Sequence, residues 1–310
     1  MISNNTHLTI GSLLFDGLDQ IDLTGPFEVL SRIPNSTYRL YSKTADAVRD
    51  LKGLRLTPDA ILADASQLDV LHVPGGFGQE ALMEDEDLLA WLRRQAAGAH
   101  SVFSVCTGAL LLGAAGLLKG RRATTHWASF HLLPYFGATP VNERVVVDEN
   151  WVFAAGVTAG IDGALRLAAE LRGEEVAQTI QLYMVYAPEP PFNSGTPETA
   201  PVAIVEHARQ EVSGITAKRE ETARRIAAKL GINVAAAAAI TPSLVENSEK
   251  DHSDEPGSCH RLHRGDAAQK SRSDAQPYGG RRRSQHAAHC RANQRQGGDP
   301  ADRRTAARCG

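Results

Sequence analysis

An α/β fold with a mostly parallel central sheet, covered by helices on both faces, is predicted for the first 247 residues. Two observations predict it. Short apolar runs that read as buried strands alternate with segments of helical apolar spacing. Several of the runs also end abruptly in loops of small, polar or glycine residues, as strands do when they feed a crossover helix.

The elements follow in order. Leu8–Phe15 reads as a buried first strand. Thr24–Ile33 reads as a helix, with Pro26 near its first turn, where a missing N–H costs little. Thr37–Ser42 is a second strand, and Leu68–Val73 is another, closed by Pro74-Gly75-Gly76. Asp85–Ala97 is helical, with Leu88, Leu89 and Leu92 on one stripe. Ser101–Val105 is a short central strand, followed by a helix of small and apolar residues over Thr107–Leu118. Trp127–Phe136 reads as a further helix. Glu143–Val147 and Trp151–Ala155 flank an Asp148-Glu149-Asn150 turn and form a hairpin. Thr158–Leu171 and Glu174–Tyr186 are helices. Pro201–Leu230 is a long amphipathic one, with Glu220–Arg224 and Glu221–Arg225 as i,i+4 pairs on its exposed side. Its Val202, Val205, Val212, Ile215, Ile226 and Leu230 could cover the domain or contact a partner.

Composition changes near Asn247. Only Leu262 among residues 248–310 is a Leu, Ile, Val, Phe or Met, and that stretch carries 13 Lys and Arg against 8 Asp and Glu. Of the chain's 33 basic and 36 acidic residues, 20 and 28 are left for the body, which is therefore acidic while the tail is basic. A segment so poor in apolar residues cannot bury enough surface to offset chain entropy, so residues 248–310 are expected to be disordered. Their mixture of Arg, Ala, Gly, Gln, His and Cys without periodicity also looks like coding sequence read out of frame. Cys259, His260, His263, His286, His289 and Cys290 in it could suggest zinc, and Arg281–Arg283 nucleic acid. No apolar neighbours support either, and neither zinc nor nucleic acid is expected as a partner. Residues 1–247 are expected to be the functional domain.

Overall, 42% of the 310 residues are hydrophobic and 22% charged, ordinary values for a soluble protein. Aromatics at 5% argue against a base-stacking platform. No stretch approaches the length of a membrane helix, and Met1–His7 lacks the pattern of a secretory signal. A cytoplasmic protein is expected.

In sheets of this kind, function sits beyond the carboxyl ends of the strands. Ser104-Val105-Cys106-Thr107-Gly108 joins a strand directly to a helix, with small residues two before and two after the cysteine. This is the spacing of a nucleophile elbow. The helix start that follows would favour thiolate over thiol. A buried structural cysteine is the alternative. Gly75-Gly76 lets the backbone approach a ligand closely, and N–H groups of Gly76 and Thr107 could bind developing negative charge. A simple tight turn would explain the glycines equally. Asp22 could be an acid or merely cap the helix beginning near Thr24, and capping is the simpler reading. His126 could pair with Cys106 or pack behind the site. His72 and His131 read as structural. Ile61, Leu62, Phe77, Trp127 and Phe136 could line an apolar pocket, although core packing explains each.

Asp22-Leu-Thr-Gly-Pro26, Val73-Pro-Gly-Gly76, Ser104-Val-Cys-Thr-Gly108 and Ala123-Thr-Thr-His-Trp127, in this order and separation, resemble the ThiJ/PfpI family of the glutamine-amidotransferase-like superfamily, and within it the isonitrile hydratases of bacteria. Leu82-Met-Glu-Asp-Glu86, Gly113–Leu118, Thr158–Asp162 and Pro188–Thr199 extend the likeness, which covers roughly residues 8 to 232. The resemblance implies a flavodoxin-like three-layer sandwich and, as activity, hydration of an isonitrile to an N-substituted formamide by a hydro-lyase. It implies roles for Cys106 as nucleophile forming a thioimidate, Asp22 as proton donor and Thr107 beside them, with no metal or organic cofactor. Its partners would be the small isonitrile, water and a second copy of the chain in a homodimer. Other members of the family set out the alternatives: the sensing domain of an AraC-type regulator, a glyoxalase- or deglycase-like enzyme, or a cysteine peptidase. The enzymes among these would favour a glutamate in the first loop or a Cys-His doublet, where this chain has Asp22 and Cys106-Thr107.

Overall fold

The computed structural model describes residues 1–234, all within one compact unit spanning Met1–Lys250. The expectations for residues 248–310 lie outside the described residues.

Seven strands form one sheet. Its members are β1 (Leu8–Leu13), β2 (Ser36–Ser42), β5 (Ala60–Ile61), β6 (Val70–Val73), β7 (Ser101–Val105), β10 (Val145–Asp148) and β11 (Trp151–Ala154). Two short pairs stand apart from it: β3 (Val48–Arg49) with β4 (Arg55–Leu56), and β8 (Arg122–Ala123) with β9 (Thr139–Pro140). The order in the large sheet is β10-β11-β7-β6-β1-β2-β5. Every neighbouring pair is parallel except β10 and β11, the expected hairpin. Cys106, Pro74 and the loop after Leu13 all leave the same edge of the sheet, because β7, β6 and β1 are parallel neighbours.

Two apolar layers sandwich the sheet, and period-two alternation along the strands divides the side chains between them. Leu71, Val73 and Val102 face one layer, with Leu88, Trp91, Leu111 and Ile226. Val70, Phe103 and Val105 face the other, with Val29, Leu30, Leu167 and Ile180. The first layer is completed by α3 (Glu86–Gly98), α4 (Gly108–Ala114) and the last helix, α7 (Val202–Leu230). The second is completed by α1 (Gln20–Leu30), α5 (Ala159–Arg172) and α6 (Glu174–Tyr183). A single turn, α2 (Gln79–Leu82), follows the glycine loop after β6.

Helix α4 stops at Ala114, four residues short of the expected Leu118, and two further elements differ from expectation. Helix α1 begins four residues before Thr24, because Asp19 caps it by accepting from the Ile21 N–H at 3.1 Å. Pro26 therefore lies well inside the helix and not in its first turn. Trp127–Phe136 is a 3₁₀ segment, containing Pro134 and closed by Gly137 in the left-handed region. The i,i+4 pairs Glu220–Arg224 and Glu221–Arg225 form on α7 as the spacing predicts.

Candidate active site

Cys106 directly follows β7 and has φ +56°, a left-handed conformation that costs energy for any residue with a Cβ. The surrounding bonds over-determine it. Its N–H donates to the Ala154 carbonyl at 2.9 Å, and its own carbonyl accepts from Thr125 Oγ1 at 2.7 Å. A Cβ on Gly108 would lie 2.0 Å from the Val73 carbonyl oxygen, so the helix after the elbow can start only with glycine there. Sharp turn and small neighbours agree with the elbow spacing in the sequence.

Gly75 and Gly76 bring the neighbouring loop against the elbow. A Cβ on Gly75 would stand 2.5 Å from the Thr107 nitrogen and 2.6 Å from its hydroxyl. The Thr107 hydroxyl engages both ends of Gly76, accepting from its N–H at 3.1 Å and donating to its carbonyl at 3.2 Å. The Gly76 N–H is thus not the free oxyanion donor expected from the sequence; a side-chain hydroxyl already occupies it. The Thr107 N–H remains, and it interacts with the Cys106 sulfur.

Asp22 lies in the first turn of α1 and is fully buried. The capping role belongs to Asp19, which leaves the Asp22 carboxyl for the site. Its Oδ2 accepts from the Gly75 N–H at 3.0 Å. Burial raises its pKa to about 8, and the negative charge of Asp19 adds to the rise. The Cys106 thiol, the Gly75 N–H and the Val157 N–H oppose it. Of these only the Gly75 bond is well formed, and Oδ1 is buried without a full partner. At neutral pH this carboxyl holds a proton. Val157 itself has φ +24°, a strained value for a β-branched residue.

The thiol shows the opposite of what the helix start implied. Burial first, and the neighbouring Asp22 second, push the Cys106 pKa well above the ordinary thiol value. The Thr107 N–H and the charge of Arg219 oppose them without prevailing. Cys106 rests as a thiol beside a protonated acid.

His126 caps the 3₁₀ segment, its Nδ1 accepting from the Ala128 N–H at 3.3 Å. Burial lowers its pKa to about 4, so it is neutral. Among the described residues it makes no hydrogen bond to Cys106. His72 is buried in β6, where its Nδ1 meets Ser12 Oγ at 3.0 Å and Tyr38 Oη at 2.9 Å. His72 is a core residue.

A cavity of ≈ 60 Å³ opens beside the elbow, and neither Asp22, which is buried behind it, nor His72 lines it. Cys106, Thr107, Gly76 and His126 line it together with Asp19, Leu51, Phe77, Val157, Val212 and Arg219. Of the apolar candidates only Phe77 lines it; Leu62 and Phe136 belong to the core. A larger cavity of ≈ 480 Å³ shares His126 and Val157 with it and extends over Trp127, Arg144 and Thr158. Sequence reasoning missed Asp19, Val157 and Arg219. For Arg219 a signal exists: it stands seven residues after Val212 and seven before Ile226, on the apolar stripe of α7.

Residues 9–170 match the model of the DJ-1/PfpI family. Over 225 residues the chain is 52% identical to an isonitrile hydratase of Pseudomonas putida, covering 73% of this chain and 99% of that protein. The crystal structure of a ThiJ/PfpI family protein from Pseudomonas syringae superposes with a TM-score of 0.69 at 38% identity, over 70% of this chain and 91% of that one. The HTH-type transcriptional regulator GbdR of Pseudomonas aeruginosa is 30% identical over 192 residues, 59% of this chain and 52% of the regulator. The strained cysteine at the end of a central parallel strand stands in the sheet such proteins share, and the chain belongs to the DJ-1/PfpI family.

Proposed function

We propose that this chain hydrates an isonitrile to an N-substituted formamide, with Cys106 as nucleophile and Asp22 as proton donor. One observation carries the reading: a carboxyl held protonated by burial lies directly behind the thiol that lines the pocket, with Oδ1 buried and lacking a hydrogen-bond partner. The likeness to the Pseudomonas putida isonitrile hydratase, over nearly that protein's whole length, supplies the substrate class. The regulator reading has weaker support, since the regulator matches at lower identity and over half its length.

The terminal carbon of R–N≡C carries a lone pair, and a positioned acid can protonate it. Asp22 gives its proton to that carbon, and the Cys106 sulfur bonds to the same carbon while its own proton passes to the Asp22 carboxylate. The product is the thioimidate R–N=CH–S–Cys106, and Asp22 is protonated again. Water then adds to the thioimidate carbon as the nitrogen takes a proton, giving R–NH–CH(OH)–S–Cys106. Loss of the sulfur, which recovers its proton from the hydroxyl by way of Asp22, releases R–NH–CHO. The Thr107 hydroxyl acts by fixing the Gly76 peptide and with it the floor of the pocket. The ≈ 60 Å³ cavity suits the isonitrile group itself, and the adjoining ≈ 480 Å³ cavity suits the R group.

Incubation of the purified protein with cyclohexyl isocyanide tests this reading. Formation of N-cyclohexylformamide, absent with Cys106→Ala, is the expected result. No formamide from a folded protein, over a panel of aliphatic and aromatic isonitriles, would sink it.

A further inference from the structure

Arg219 brings a positive charge into the pocket from α7, beyond the residues that the family model matches. It is 3% exposed. Its Nε donates to Gln79 Oε1 at 3.0 Å, one terminal nitrogen to the Gly76 carbonyl at 2.7 Å, and the other to Ser129 Oγ at 3.4 Å. A guanidinium has five N–H groups, so two remain unused by these bonds. All three acceptors are neutral, and no carboxylate among the described residues forms an ion pair with Arg219. Glu80 is near enough to feel the charge, yet its carboxylate accepts from Thr222 Oγ1 at 2.8 Å. Asp19 lines the same cavity.

A buried cation with no ion-paired carboxylate among the described residues is a cost to the fold. Arg172 shows what a purely structural buried arginine does here. Its terminal nitrogens hold the carbonyls of Ile2, Ser3, Thr6 and Asn35, and it lines neither cavity described above. Arg219 instead shares the pocket with Cys106 and interacts with its sulfur through space.

We infer that Arg219 stabilises the negative charge that forms on the Cys106 sulfur, both as the thiol proton leaves and when the sulfur is expelled. The second half of this inference rests on the hydration reading above; the first half does not. In the addition step the S–H bond breaks, the proton goes to the Asp22 carboxylate, and the electron pair stays on sulfur until the S–C bond forms. In the last step the C–S bond breaks and its pair returns to sulfur before the proton does. Burial opposes both anionic states, and neutral His126 does not help them. Arg219 is the cation placed to offset that opposition.

The test alkylates Cys106 in the full-length protein across about pH 6 to 10, with the extent read by mass spectrometry of the peptide that contains it. Arg219→Met removes the charge at similar length, and Arg219→Lys keeps a charge. The Met variant should move the iodoacetamide profile to higher pH and lower the rate at pH 8 by on the order of tenfold, and the Lys variant should keep most of the wild-type rate. The wild type should also favour anionic iodoacetate over iodoacetamide, relative to N-acetylcysteine. A Met profile that overlays the wild type in a protein folded by circular dichroism overturns the inference. If the Met variant does not fold, the iodoacetate preference decides: its absence in the wild type overturns the inference equally. None of these readouts uses an isonitrile, so their failure is distinct from failure of the hydration assay.

Discussion

The Gly75 N–H donates to Asp22 Oδ2 at 3.0 Å, a bond between residues 53 apart in sequence. It ties the glycine loop after β6 to the first turn of α1. Because Gly75 also abuts Thr107, one residue sets the distance between acid and elbow. The carboxyl is thereby held without being ionised. One N–H is enough to aim it but not to offset the cost of burying its charge.

Gly75→Ala should therefore damage both folding and activity. Its Cβ would meet the backbone nitrogens of Thr107 and Gly108 at 2.5 and 2.9 Å, and neither can move without opening the elbow. A loss of about 1–3 kcal/mol in stability is expected, as for other overpacked sites, with turnover falling further than stability explains. Gly214→Ala is the contrasting case. Nothing lies within 4 Å of its added Cβ, and its place inside α7 predicts a gain of about 0.5–1 kcal/mol. Urea unfolding of both variants, with rates measured alongside, checks the pair.

Asp22 should leave a signature in the pH dependence of stability. Its folded pKa is about 8, against an ordinary value of 3.8. Between these values the folded protein holds a proton that the unfolded chain has released. Stability therefore falls as pH rises through this window and levels off above it. Asp22→Asn removes the difference, so the variant should gain on the wild type from pH 4 to pH 8, by on the order of a few kcal/mol. If the group donates a proton in catalysis, wild-type turnover should also decline above about pH 8. Denaturant titrations at pH 4, 6 and 8 decide the first point. Equal slopes with pH for both proteins would show that the carboxyl is ionised in the fold.

Much of this was legible in the sequence, and the exceptions have physical causes. The elbow was legible because small residues around Cys106 answer a local backbone need. The hairpin over residues 143–155 was legible from its Asp-Glu-Asn turn. The start of α1 was displaced because Asp19, not Asp22, supplies the cap and because Pro26 is tolerated within the helix. The direction of the thiol pKa was not legible, since helix proximity is local but depth of burial is a property of the whole fold. Arg219 is not legible for a related reason. Arginine on an amphipathic helix usually faces water, and only the tertiary packing of α7 against the 3₁₀ segment turns this one inward.

We propose that the functional domain is contained in residues 1–247, and ending the chain at Asn247 should preserve it. Residues 248–310 contain a single large aliphatic, Leu262, so their removal forfeits little apolar burial. Melting temperature and turnover of the shortened chain should match those of the full one. A substantial drop in either, or zinc bound stoichiometrically only by the full chain, would overturn the expectation.

The roles of Cys106, Asp22 and His126 separate in one experiment. Cys106→Ala should abolish turnover, because no other cysteine precedes Cys259 in the chain. Asp22→Asn keeps the shape of the side chain and an acceptor for the Gly75 N–H, yet cannot donate the same proton. A loss of about 10²–10⁴-fold is expected, the usual contribution of a positioned acid–base group. His126 is neutral, with a pKa near 4 and its Nδ1 committed to the Ala128 N–H. His126→Ala should therefore cost about 1 kcal/mol of stability through the lost cap, reduce turnover less than either other variant, and leave no acid limb near pH 6.5 to be removed. The comparison uses one isonitrile, with rates taken from pH 5 to 9 and folding verified by circular dichroism. If Asp22→Asn stays near the wild-type rate while His126→Ala is inactive, the proton comes from a Cys–His pair and the assignment of Asp22 is wrong. If Cys106→Ala still turns over, no thioimidate lies on the path.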